Sequence, residues 1–238
     1  MNISVSIDSL LPRVGDFNNK FMSERLRDLV IKEAELLGHF GIGRKSVLDA
    51  GCGDGRNTIR LISGFQARPE RLVLFENDLP SLELARRNAV KQGEHAKKTT
   101  CVLGNLYSMP FGDESFDFVI GLGDVPSLSG GAPVDALGEM RRVVSQDGVL
   151  VFSLIAHEYL LCLAERDHDE EAINQLHRTD RLPLVYAEGG ISPHISLGPT
   201  PLVPMKLTKM GLSICHYLET SFDFDDIPAR LLFACKKF

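Results

Sequence analysis

The stretch Val47-Leu48-Asp49-Ala50-Gly51-Cys52-Gly53-Asp54-Gly55 limits what this chain can fold into more than any other. Three glycines at alternate positions separate an apolar run from a helical pattern that begins near Arg56. Glycine has no Cβ and reaches positive φ, so the backbone can turn tightly there and a flat or extended ligand can lie directly on the main chain. The dinucleotide fingerprint G-x-G-x-x-G does not fit, because its third glycine falls where Arg56 stands. A Walker A loop is absent as well, since no Gly-Lys-Ser/Thr follows.

The surrounding pattern alternates. Apolar runs at 46–50, 71–76, 100–103, 116–122 and 148–155 predict strands. Helical periodicity appears over 23–37, about 56–62, 81–92 and 134–144, with Ser23 as N-cap of the first helix and Gly38 and Gly41 where it should end. Near-continuous apolar strands alternating with helices indicate a parallel sheet covered on both faces. Two further strands, 212–219 and 230–236, are expected to close the chain as an antiparallel hairpin at the sheet edge. The segment 157–206 breaks the rhythm: a charged helical half is followed by a half rich in glycine and proline.

Composition removes several classes of function. With 26 basic and 32 acidic residues in 238, the net charge is −6, so no global field draws the chain to nucleic acid or an anionic membrane. The longest strongly apolar run, 149–156, is too short to span a bilayer, and the N-terminus lacks a secretory pattern. A soluble, cytoplasmic, single-domain protein is expected. Its five cysteines are scattered without a C-x-x-C pair, which disfavours a disulfide framework and a zinc site, and four of them lie in apolar or small-residue contexts that suit reduced core thiols. The acidic run Glu165 to Glu171 reads as a solvated helix face in preference to a metal site, so no metal is assigned. Lys91, Lys97, Lys98, Arg86 and Arg87 read as solvated surface, and nucleic acid is not an expected partner.

The strand at 71–76 ends in Glu76, twenty-one residues beyond Gly55. In a doubly wound sheet this is the place for a carboxylate that takes both hydroxyls of a ribose. Asp78 is the rival acid. It lies just before Pro80 and Ser81, where an N-terminal helix cap is favoured, so the ribose role falls to Glu76.

These residues resemble the first two motifs of the class I S-adenosylmethionine-dependent methyltransferases, whose turn reads hydrophobic-hydrophobic-D/E-x-G-x-G-x-G. The resemblance continues in order through Gly104-Asn105-Leu106, Ser115-Phe116-Asp117-Phe118, and Glu139-Met140-Arg141-Arg142 with Asp147-Gly148. It covers about residues 23–156 and, more loosely, 206–238. It implies a Rossmann-like, doubly wound α/β fold with a mostly parallel seven-stranded sheet, an antiparallel edge strand and helices on both faces. The implied cofactor is S-adenosylmethionine. Its binding set would be Asp49, Gly51, Cys52, Gly53, Glu76, Asn77, Asn105, Leu106 and Gly121. Backbone at Gly51 and Gly53 would face the methionine part, Asp49 would brace the turn, and Glu76 would hold the ribose. Asn105 would meet the adenine amino group through its amide oxygen, and Leu106 would offer its N–H to the ring. The family usually has an acid at position 105, and Asp147 replaces its usual proline or glycine.

Methyl transfer from a sulfonium is an in-line displacement that asks mainly for positioning, with a base needed only when the acceptor arrives protonated. Acceptor-side candidates lie beyond the fourth and fifth strands. Asp124 is either an amine-binding carboxylate or a turn residue, and His157 is either a base or a structural histidine, the latter favoured. His194, in the glycine–proline half of 157–206, is a tentative substrate residue of a lid. Residues 1–22 and 157–206 are expected to form a cap over a small-molecule substrate. Methylation of a protein or nucleic acid, and cofactor binding without transfer, stay open as rivals.

Overall fold

The computed structural model describes residues 24–93, 99–123, 125–128, 133–166, 170, 173–174, 197–221 and 227–238. Helix α1 (Glu24–Gly41) precedes β1 (Ser46–Ala50), which runs into a short α2 (Arg56–Ile59). Then follow β2 (Arg71–Glu76), α3 (Leu79–Val90), β3 (Thr99–Leu103) and β4 (Phe116–Gly121). Next are α4 (Val125–Leu128), α5 (Pro133–Val143), β5 (Val144–Ile155) and α6 (His157–Arg166). A helical turn at Thr200–Leu202, α7 (Val203–Lys209), β6 (Leu212–Thr220) and β7 (Arg230–Lys237) complete the order.

The seven strands lie in the order β3-β2-β1-β4-β5-β7-β6. Strands β1 to β5 are mutually parallel, and β7 runs antiparallel between β5 and β6. The expected closing hairpin therefore forms, with β7 inserted one place in from the edge. Alternation along the strands builds a core on each face. Val149 and Val151 of β5 join Leu232 and Ala234 of β7 in the layer under α1, while Leu150, Phe152 and Leu154 join Leu231 and Phe233 on the other. At the start of β1 the Asp117 carboxylate accepts the N–H groups of Lys45 (2.8 Å) and Ser46 (2.9 Å), which pins β1 to β4.

Several boundaries differ from the sequence expectations for local reasons. Helix α1 continues through Gly38 and ends at Gly41. Gly38 is there for space: a Cβ would stand 2.3 Å from the Phe65 ring. The helix expected over about 56–62 keeps α geometry only to Ile59 and widens into a π-turn over Arg60–Gly64. The helix expected at 81 begins at Leu79, because the Asp78 carboxylate accepts the Ser81 N–H at 2.9 Å. Strand β5 starts at Val144, so Asp147 and Gly148 lie inside the strand.

The connections from β1 go to one side of the sheet and those from β4 to the other. That reversal puts a topological switch point at the carboxyl ends of β1 and β4, where doubly wound sheets bind ligands in a crevice.

Candidate active site

The glycine turn sits at this crevice. Gly51 N–H (2.8 Å) and Cys52 N–H (3.0 Å) donate to the Phe75 carbonyl, tying the turn to the end of β2. Gly53 has φ +52, and a Cβ built on it would meet nothing within 4 Å, so the space in front of it is clear of described protein. That open, left-handed position is what a ligand lying on the backbone requires. Gly51, by contrast, is covered: a Cβ there would stand 2.5 Å from the Val125 side chain at the start of α4.

Asp49, at 1% exposure, accepts from the Thr58 hydroxyl (2.7 Å) and the Thr58 N–H (3.2 Å). It thereby locks the end of β1 to the helix beyond the turn. Burial raises its carboxyl from the ordinary 3.8 to about 6, against the pull of the Thr58 hydrogen bonds. The Cys52 thiol is buried and pushed far up by the same desolvation, with the nearby Asp49 and Glu76 charges adding to it. All five cysteines are free thiols.

Glu76 joins three parts of the site. Its Oε2 accepts the Gly53 N–H at 2.8 Å, and its Oε1 accepts the N–H of Asn77 at 2.8 Å and of Asp78 at 3.3 Å. Its carbonyl accepts the Gly104 N–H at 2.9 Å, so the turn that carries Asn105 and Leu106 is attached to the same residue. Asp78 instead faces its own helix as cap, and its hydrogen bonds from Ser81 lower its carboxyl.

Asn105 is exposed, and Leu106 is buried. The Asn105 Oδ1 accepts the Tyr107 N–H at 2.9 Å, an Asx-type turn. A backbone N–H can only donate, so the oxygen faces Tyr107 and one of its two lone pairs is already committed. The oxygen expected to meet an adenine amino group thus also holds the turn. Gly121 ends β4 with Met140 and Phe152 against the place of its Cβ, so the space it clears serves the packing of α5 on the sheet.

The structure brings Asp49, Gly51, Cys52, Gly53, Glu76, Asn77 and the 105–106 turn into one crevice. His157 lies at the end of β5, buried as the first residue of α6. Asp124 and His194 lie outside the described residues, as do residues 1–22 and most of 167–196. Among the described residues no group of three His, Cys, Asp or Glu side chains is placed to hold a metal. No described helix is long and apolar enough to cross a membrane.

Sequence reasoning missed several residues here. Leu79 and Leu103, both 52% exposed, flank the Glu76 strand end and offer apolar surface beside it. Their exposure has no signature in a strand or helix pattern. Thr58 is hidden because its partner is nine residues away across the turn. Val125 covers Gly51, and the Ser127 hydroxyl accepts the Ile155 N–H at 3.2 Å, so α4 bridges the ends of β1 and β5.

Residues 47–148 match the model of a family described as a methyltransferase domain. An uncharacterized curated protein of Haemophilus influenzae is 30% identical over 118 residues, 49% of this chain. The chain covers 43% of that relative's length. Among solved structures, the complex of the Haloferax volcanii Trm112 methyltransferase activator with a protein assigned as a methyltransferase aligns with a TM-score of 0.61. It is 16% identical, over 87% of this chain and 88% of that one. The 1,6-didemethyltoxoflavin-N1-methyltransferase of Burkholderia thailandensis, solved with 1,6-didemethyltoxoflavin and S-adenosylhomocysteine, gives 0.60 at 16% identity. That alignment covers 87% of this chain and 76% of that one. At such identities the likeness is one of fold.

Proposed function

We propose that residues 47–148, which match a methyltransferase-domain model, bind S-adenosylmethionine in the class I manner, and that the chain methylates a nitrogen or oxygen of a small molecule. The observation that carries the reading is Glu76, whose carboxylate meets the Gly53 amide while its carbonyl holds the 105–106 turn. One residue thus ties together the backbone cradle, an acid at the strand end and the turn beyond β3.

The residues fit the cofactor. Amides of Asn77 and Gly53 hold one oxygen each of the Glu76 carboxylate and fix its plane. A lone pair remains on each oxygen for two neighbouring ribose hydroxyls once the longer Asp78 contact yields. Gly53 leaves its backbone bare for the methionine portion, with Gly51 and Cys52 beside it and Asp49 bracing the turn. Leu79 and Leu103 supply an apolar rim for a flat base and Asn105 and Leu106 its polar edge, while Gly121, expected in this set, is given over to packing against Met140 and Phe152.

S-adenosylmethionine supplies a methyl group on a positively charged sulfur, so the leaving group needs no proton. The protein's task is alignment and exclusion of water. Asp124 and His157, which follow β4 and β5 in the sequence, are the residues we assign to bind or deprotonate an acceptor. A cap built from residues 1–22 and 157–206, including His194, would select it. Supporting that role, the Thr200 N–H donates to Glu158 Oε1 at 3.0 Å and the Thr200 hydroxyl to Oε2, so the insertion leaves and returns at one anchored point.

A second reading, a macromolecular acceptor methylated with the help of a small activator protein, draws on the fold likeness to the Haloferax volcanii complex. The net charge of −6 weighs against a nucleic-acid acceptor. Incubation with methyl-labelled S-adenosylmethionine and a cell extract separates the two. Label in a small product supports our reading, label confined to macromolecules supports the second, and cofactor binding without transfer refutes both.

A further inference from the structure

Arg142, near the end of α5, spends its whole guanidinium on one loop and one neighbour. Its Nε donates to Glu139 Oε1 at 2.6 Å, and its Nη2 donates to Glu139 Oε2 at 2.8 Å and to the Met109 carbonyl at 3.1 Å. Its Nη1 donates to the Phe111 carbonyl at 2.7 Å and to Asp113 Oδ1 at 2.9 Å. Glu139 in turn accepts the Met109 N–H at 2.8 Å. The planar fork of arginine suits such a multiple clamp, which a lysine ammonium cannot reproduce. Residues 109–113 are thus held through two carbonyls, one amide and one side chain, all from one face of α5.

This loop follows directly on the turn that carries Asn105 and Leu106. The turn is fixed at its start by the Gly104 bond to Glu76 and within by the Tyr107 and Ser108 bonds to Asn105. The clamp fixes its end at Met109. Beneath it the Phe111 ring meets Phe75 (5.5 Å) and Phe116 (5.1 Å) edge-on, and the Phe75 ring closes on Gly104, where a Cβ would stand 2.7 Å away. Met109, held by the clamp, directly follows Ser108, held by Asn105.

Of the clamp's arms, the one to Asp113, whose side chain is 75% exposed, contributes little to folding. The bidentate grip on Glu139 and the two carbonyls fix the geometry of the loop. We infer that Arg142 is a positioning residue, which sets the 105–106 turn through residues 109–113 so that it reads the adenine of the cofactor. The inference rests on the cofactor reading above. Glu76 sets the ribose end of the turn, and Arg142 and Glu139 set the base end.

The test is calorimetry of the full chain with S-adenosylhomocysteine and with S-inosylhomocysteine, which lacks the adenine amino group. Wild type is expected to prefer the adenine ligand. Arg142→Gln is expected to weaken it about tenfold, the order of one lost hydrogen bond, while S-inosylhomocysteine stays within about twofold. Arg142→Lys, which keeps the charge and loses the fork, is expected to follow Arg142→Gln. Equal weakening of both ligands, or an unchanged preference, overturns the positioning role. If Arg142→Gln fails to fold, Glu139→Gln is read in the same way, with the same loss of preference expected. A wild type that binds neither ligand overturns the cofactor reading and the inference with it, whereas binding with full preference in the variants overturns the inference alone.

Discussion

Asp49 sits 1% exposed beneath the glycine turn, with both Thr58 hydrogen bonds on a single carboxylate oxygen. Its carboxyl rises from the ordinary 3.8 to about 6 because burial outweighs those bonds. The unfolded chain releases this proton near 3.8, and the folded chain holds it to about 6. Between those values the native state binds more protons, so stability falls as pH rises, by about 1.36 kcal/mol per pH unit. The contribution is fully present below 3.8 and lost above about 6, a total of ~3 kcal/mol. Asp49→Asn keeps the volume and an acceptor oxygen for Thr58 but cannot titrate. Urea unfolding of both proteins from pH 4.5 to 7.5 isolates the effect, since every other carboxylate is common to the pair. The variant is expected to gain about 2 kcal/mol on wild type across that range, most of it below pH 6.5. A difference that is flat with pH, or that shrinks as pH rises, refutes the assignment of a desolvated carboxyl.

Two further outcomes are expected. Gly53→Ala meets no described atom within 4 Å, so its cost to the fold is the left-handed backbone alone, about 1–2 kcal/mol by chemical denaturation. Affinity for S-adenosylhomocysteine should nevertheless fall more than about tenfold, as a methyl enters the cradle, and normal binding would remove the turn from the site. Glu33→Ala strips Arg60, 4% exposed, of a buried ion pair at 3.3 Å. The loss is expected at ~3–5 kcal/mol, and one below about 1 kcal/mol would show that the pair carries no such weight.

The alternation of apolar strands and helices, and three glycines where a strand meets a helix, made the sheet and the crevice legible. Glu76 and Asp78 were separable because a helix cap has its own signature, here Pro80 and Ser81, and the structure places Asp78 on that duty. What stayed hidden depends on partners distant in sequence. Arg142 reads as one of two basic residues ending an amphipathic helix, and its grip on Met109 and Phe111 spans more than thirty residues. Nothing in the sequence marks Glu33 and Arg60 as partners, because they meet and are buried only when α1 folds over the π-turn. Gly38 looks like a helix end because only the tertiary position of Phe65 gives an internal glycine its reason. The Asn105 oxygen is half-committed to its own turn, a detail that depends on the φ and ψ of Leu106 and Tyr107 and not on residue type.

We propose that the Gly53 amide and the Glu76 carboxylate together form a nucleoside site, and the decisive experiment is calorimetric titration with S-adenosylhomocysteine. Wild type is expected to bind one equivalent. Glu76→Ala should lose about a hundredfold in affinity, the order expected when a charged acceptor for two hydroxyls is removed, while Asp78→Ala stays within about threefold. Equal losses in the two variants, or no binding by wild type, would show that Glu76 holds no ribose here.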